Sequence, residues 1–143
     1  MNDCILCSII AGESPVSSIH EDDVALALLT ISPINPGHVM VIPKKHFTYL
    51  DDMDEDTGMH LMKIALRVQK AIRNSGVHCE GINLFLADGE AAFQDVFHVH
   101  LHIFPRFKGD SFKINADFTV KPSREELDEV AEKIRQAYKS LPL

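Results

Sequence analysis

Apolar positions along the chain follow two periods. Between Asp56 and Asn74, Leu61, Ile64, Ala65, Val68, Ala71 and Ile72 recur at helical spacing, which predicts a helix with one buried stripe. Ser75-Gly76 follows as its stop signal. A second helical stripe, Leu127, Val130, Ala131, Ile134 and Tyr138, comes after Pro122, with Ser123 and Glu126 spaced as a capping box. Residues 4–12 predict a short first helix ending near Gly12. Runs of strand length span Val24 to Thr30, His38 to Ile42, Gly81 to Leu86 and Val96 to Phe104, broken by Ser32-Pro33, Asn35-Pro36-Gly37, Pro43 and Pro105. Strands grouped with few helices between them predict an α+β domain on an antiparallel sheet.

One of these strands is unusual. His98, His100 and His102 alternate with Val99, Leu101 and Ile103, so on a strand the three imidazoles share one face. Phe97, Val99, Leu101 and Ile103 then form an apolar face directed at the core, which sets the register. At a rise of ~3.3 Å per residue the imidazoles stand about 7 Å apart along one groove. Three readings stand: solvent-facing histidines on an ordinary strand, a three-histidine metal site, or nucleophilic and acid–base catalysis. The metal reading asks a third ligand to reach in from the same straight strand. Catalysis suits a side chain whose proton affinity lies near neutrality.

Bulk properties narrow the ligand. The 143 residues fit one domain large enough to bury a core, and no apolar stretch approaches the ~18 residues of a membrane span. The start, MNDCILCSII, lacks the basic residues of a secretory signal, so a cytoplasmic location is expected. Lys and Arg number 14 against 21 Asp and Glu, a net charge of −7. No basic patch for a nucleic acid polymer is visible, whereas a small phosphorylated ligand fits a few imidazoles and backbone donors. Of the three cysteines, Cys4 and Cys7 are separated by two residues, a spacing that suggests metal or redox chemistry rather than a structural bridge. Cys79 stands alone, as a packing residue.

Residues 98–104, His-Val-His-Leu-His-Ile-Phe, resemble the signature of the histidine triad (HIT) superfamily, His-φ-His-φ-His-φ-φ with φ apolar. Ile31-Ser32-Pro33, Pro36-Gly37-His38-Val39 and Val41-Ile42-Pro43-Lys44-Lys45-His46 resemble the stretch before the central helix in these proteins. Asp88-Gly89-Glu90-Ala91-Ala92 with Gln94 resembles the loop entering the triad strand. The resemblance implies a sheet of about five mostly antiparallel strands with a main helix and a C-terminal helix. It also implies a homodimer whose two sheets join. Residues 1–110 form the HIT domain in this reading, and 111–143 a helical extension of the same globular unit.

The resemblance further implies a hydrolase acting at a nucleotide α-phosphate, its substrates nucleoside phosphoramidates, adenylates or dinucleoside polyphosphates. His100 maps to the nucleophile, giving a nucleotidyl-histidine that water resolves. His102 contacts phosphate and helps protonate the leaving group, and His38 supports the triad from the neighbouring strand. Gln94, Thr30, Asp95, Asp88 and Gly89 map to substrate-binding positions. Some members bind a structural zinc ion through four residues that map to Cys4, Cys7, His46 and His98; no organic cofactor is implied.

Several positions depart from the family pattern. Thr30 stands where an Asp or Asn often holds the ribose, Ala87 where an amide often donates, and Phe93 where glycine precedes the glutamine. Asp95 stands where a Ser or Thr hydroxyl often faces the leaving group. An ionised carboxylate accepts only and repels phosphate. These changes either retune the pocket or belong to a nucleotide-binding regulatory homodimer with little turnover. A metal-dependent redox or storage protein built on Cys4 and Cys7 is a third class.

Overall fold

A computed structural model of the chain describes residues 3–142. The chain divides into two units between Phe112 and Lys113. The first holds five antiparallel strands, β1 (Ser18–Glu21), β2 (Ala25–Leu29), β3 (Val39–Pro43), β4 (Gly81–Phe85) and β5 (Leu101–Arg106), in the order β1-β2-β3-β5-β4. Two helices accompany them, α1 (Ile5–Ile10) and α2 (Glu55–Asn74). The expected α+β architecture is therefore present. Among the described residues no helix is long and apolar enough to cross a membrane.

Strand alternation sorts the sheet into two faces. Ala25, Ala27, Val39, Val41 and Ile103 join Leu61, Ile64, Ala65, Val68 and Ile72 of α2 in the main core. The residues between them, Leu26, Leu28 and Ile42, pack with Leu6 of α1 in a smaller cluster. Helix α2 forms where the periodicity predicts it, with Asp54 capping its first turn through Thr57. Pairing of β3 with β5 sets Met40 opposite His102 and Val39 opposite Ile103. Partners across a ladder share a face, so His102 lies on the α1 side.

Two expectations about the histidine strand are corrected. The ladder begins at Leu101, not at Val96, and residues 96–98 bend ahead of it. The reason is a bond outside the sheet: the Val99 N–H donates to the Phe47 carbonyl at 2.8 Å, tying this segment to the loop after β3. Phe97 consequently turns away from the core and is 43% exposed, edge-on to Tyr49, while Val99 and Ile103 are buried as expected. Strand β1 was not singled out by its sequence, Ser-Ile-His-Glu, whose apolar content is low.

The second unit contains α3 (Arg124–Lys139). Its capping box forms as predicted: the Glu126 N–H donates to Ser123 Oγ at 3.1 Å, and the Ser123 N–H to Glu126 Oε2 at 2.7 Å. Leu127, Val130, Ile134 and Tyr138 are exposed on the single chain.

Gly37 sits immediately before His38 with φ +90°, and a Cβ there would lie 2.8 Å from Val77 Cγ1 and 3.3 Å from Pro105 Cγ. Both left-handed backbone and contact exclude a side chain. Gly37→Ala is expected to lower unfolding stability by about 2 kcal/mol. Urea denaturation monitored by circular dichroism checks this, and a midpoint equal to the parent would contradict the packing described.

Candidate active site and metal cluster

Two constellations form around the bend before β5. In the first, Cys4 starts α1, and its Sγ accepts from the Cys7 N–H. His98 Nδ1 lies 3.5 Å from each thiol, and His46 Nδ1 lies 3.2 Å from Cys7 Sγ. The four ligand atoms lie within 4.8 Å of one another, and two thiols with two imidazoles make a donor set that suits tetrahedral zinc. His98 is fully buried and its Nε2–H donates to the Pro43 carbonyl at 2.8 Å. That bond places the free lone pair on Nδ1, toward the sulfurs. Burial chiefly lowers the proton affinity of His98, while burial and then Cys4 raise the Cys7 thiol.

The second constellation is His38, His100 and His102. A carbonyl oxygen can only accept, so the 2.7 Å contact from His100 Nδ1 to the His98 carbonyl places the proton on Nδ1. The lone pair of His100 is thereby left on Nε2. On the other side, the Ile34 N–H donates to His38 Nδ1 at 3.1 Å. His38 must then donate from Nε2, and it does so to His102 Nδ1 at 2.8 Å. His102 in turn keeps its proton on Nε2. Burial pushes His38 down to about 4. It does the same to His102, also to about 4, with the charges of His100 and His38 adding to the effect.

The rings of His100 and His102 lie 4.8 Å apart, nearly edge to face. Among the described residues neither Nε2 has a partner within hydrogen-bond distance, yet no buried polar side-chain atom lacks one. Both Nε2 atoms therefore open to solvent. The arrangement sets a nucleophilic lone pair beside an N–H donor.

The loop before the triad is organised by Gln94, which is buried. Its Oε1 accepts from the Gly89 N–H at 2.8 Å, and its Nε2 donates to the carbonyls of Thr48 and Val96 at 2.9 and 3.2 Å. The carboxamide is thus committed to backbone rather than turned toward a ligand. Gly89 adopts φ 91°, and Phe93 adopts φ 70° with its ring 83% exposed. A left-handed position explains why glycine suits it; a phenylalanine there carries roughly 1–2 kcal/mol of strain. Asp88 accepts from the Leu50 N–H, and Thr30 Oγ1 from the Ser32 N–H, so both cap neighbouring loops. Asp95 Oδ1 lies 3.6 Å from His100 Nε2, too far for a hydrogen bond, and its side chain is 82% exposed.

Beyond β5, Arg106 clamps Asp110 through two bonds of 2.7 and 2.8 Å, and Asp110 also accepts from Asn35. The Arg106 bond keeps the Asp110 carboxyl far below the usual carboxylate range. Asn35 donates as well to the Pro105 carbonyl, which joins the turn before His38 to the strand that carries His102. Residue motifs pointed to the imidazoles and thiols. They could not point to the backbone partners Ile34 N–H, Pro43 C=O and His98 C=O, which have no side-chain signature.

The HIT domain model matches residues 11–109. A Zn-bound histidine triad family protein from Mycobacterium smegmatis is 38% identical, with a TM-score of 0.73 over 95% of this chain and 98% of that one. A histidine triad nucleotide-binding protein from Candida albicans is 26% identical, with a TM-score of 0.84 over 98% of this chain and 100% of that one. An adenylylsulfatase of Arabidopsis thaliana is 36% identical across 76% of this chain and 55% of its own length. With the five-stranded sheet and the imidazole pair already in place, the chain belongs to the HIT family.

Proposed function

We propose that the chain hydrolyses nucleotide derivatives at the α-phosphate, with His100 Nε2 as the attacking atom. The observation that carries this reading is the placement of protons: a free lone pair on His100 Nε2 and an N–H on His102 Nε2, with ring centroids 4.8 Å apart. The lone pair forms a bond to phosphorus, and the bond to the leaving group breaks with its electron pair departing on that group. Water then attacks the nucleotidyl-histidine: the new P–O bond replaces the bond to Nε2, whose electron pair returns to His100. Water's proton balances the electron pair taken by the leaving group, and a nucleoside monophosphate is released. His102, kept neutral by burial, donates a hydrogen bond to the phosphate oxygens. Its low proton affinity suits that task better than proton transfer. His38 is a positioning residue that holds His102 in the required tautomer, and Gln94 with Gly89 holds the loop beside it.

Asp95, whose Oδ1 lies 3.6 Å from the proposed nucleophile, also lines a cavity of about 360 Å³ with Asp3, Cys4, Ile5, Val96 and Phe97. Two carboxylates favour leaving groups that carry positive charge, such as amines, and disfavour polyphosphates. Thr30 serves the ribose side and Asp88 shapes the loop opposite.

Cys4, Cys7, His46 and His98 are proposed to hold a structural zinc ion, supported by their mutual distances and the zinc-bound relative. When bound, the ion anchors α1 to the bend and keeps both thiols deprotonated. Reduced thiols suit a cytoplasmic setting. A homodimer that extends the sheet through β4 is also proposed. Strand β1 carries His20 and Glu21 and an irregular register, whereas β4 ends the sheet with Leu84 and Phe85 exposed. An edge without charge or bulge is open to pairing.

His100→Ala should retain the fold and lose roughly three or more orders of magnitude in turnover of an adenosine phosphoramidate, as removal of a nucleophile does. Undiminished hydrolysis would sink the assignment. Asp95→Asn should raise hydrolysis of a diadenosine polyphosphate relative to the phosphoramidate by about tenfold, measured as a ratio of kcat/KM; an unchanged ratio speaks against electrostatic selection. Elemental analysis of the purified protein should find one zinc per chain, with Cys4→Ser losing it and melting at lower temperature. A parent protein that neither contains nor takes up zinc would refute the metal site.

A further inference from the structure

Away from the triad, α2 and the edge strand β1 enclose a cavity of about 280 Å³. Its floor is apolar, formed by the core residues Ile64 and Val68 with Ile19 beside them. Around this floor stand His20, His60, Lys63 and Arg67. One carboxylate, Asp22, and the small Ala71 complete the lining.

Asp22 is fully occupied. Its Oδ2 meets the Nε2 atoms of His20 and His60, each at 2.8 Å. Its Oδ1 accepts the N–H groups of Val24 and Ala25, each at 2.9 Å. These bonds outweigh the opposing effect of partial burial and keep the carboxyl ionised. With both oxygens doubly engaged, Asp22 has no acceptor left for a cation. It works as a clasp that pins two imidazoles at the cavity wall.

Lys63 and Arg67 are different. They lie one helical turn apart on the face of α2 that borders the cavity, a spacing at which like charges repel. Among the described residues neither has an ion-pair partner, although α2 begins with acidic residues and the whole chain carries a net charge of −7. Two unneutralised cations above an apolar floor, with both imidazoles already held by Asp22, make a concave surface complementary to a molecule that is anionic at one end and apolar at the other. A divalent metal ion fits poorly, because Lys63 and Arg67 would repel it and Asp22 is already engaged.

We propose that this cavity is a second ligand site, separate from the triad, that takes a small amphipathic anion: a compact apolar or aryl body with one phosphate or carboxylate head. The body rests on Ile19, Ile64 and Val68, and the head lies between Lys63 and Arg67. Nothing in the proposal depends on turnover at His100.

The test is titration of the ¹⁵N-labelled full chain with phenyl phosphate, benzoate and inorganic phosphate, followed by amide chemical shifts. Saturable shifts are expected at residues 19–22 and 60–68. Inorganic phosphate alone should bind at least about tenfold more weakly, since it leaves the floor uncovered. A response to phenyl phosphate only assigns a phosphate head, to benzoate only a carboxylate, and to both a requirement for charge alone; each supports the site. The double variant Lys63→Gln/Arg67→Gln, at two exposed positions, should keep the spectrum of the folded chain and weaken binding about tenfold or more. The proposal is overturned by shifts confined to the triad region, by equal binding of inorganic phosphate, by no saturable response, or by a double variant that binds as well as the parent.

Discussion

The 2.7 Å hydrogen bond from His100 Nδ1 to the carbonyl of His98 is the constraint on which the site depends. A neutral imidazole has one proton and two nitrogens, and a backbone carbonyl leaves no choice about which nitrogen holds it. The same logic runs from the Ile34 amide through His38 to His102, and again from His98 to the Pro43 carbonyl. Three imidazoles thus have their tautomers set by main-chain groups, and the fourth, His102, takes its own from His38. Side chains supply the chemistry, and the fold decides which atom of each can perform it.

Those main-chain groups are in place because of the sheet. Antiparallel pairing of β3 and β5 brings the segment after Gly37 beside the one that carries His102, and the two alternate faces separate the α2 core from the α1 side. The Val99–Phe47 bond then lifts the chain out of the ladder just before Leu101. The departure from strand geometry lets His98 turn to the thiols while His102 stays with His38. A straight strand would have kept all three imidazoles in one row, as their spacing alone suggests.

Much of this was legible in the residues. Helix α2 declares itself through a long apolar stripe with clear caps, and α3 through its capping box. Turns at Pro36-Gly37 and the short apolar runs of β2 and β3 mark the sheet. Other features were not legible, for physical reasons. An alternating pattern reads the same whether or not its backbone pairs in a ladder, so the bend at residues 96–98 and the exposure of Phe97 left no trace. A carbonyl has no letter in the sequence, so the tautomers could only come from coordinates. The backbone partners of Gln94 were not legible either, because which polar groups a carboxamide meets depends on loop closure. His20, Asp22 and His60 lie on β1, the turn after it and α2, and nothing in their separation announces that they converge.

The thiol–imidazole cluster also has a consequence for the making of the protein. Cys4 and His98 are 94 residues apart, and α1, only six residues long, is too short to persist in water without tertiary support. On a ribosome adding 5–20 residues per second, roughly 5 to 20 s pass between synthesis of the first thiol and arrival of its last partner. For that interval Cys4 and Cys7 wait without the buried imidazole that holds them in the fold. The thiol pair is therefore made well before the strand it depends on, and it finds its place only when that strand arrives.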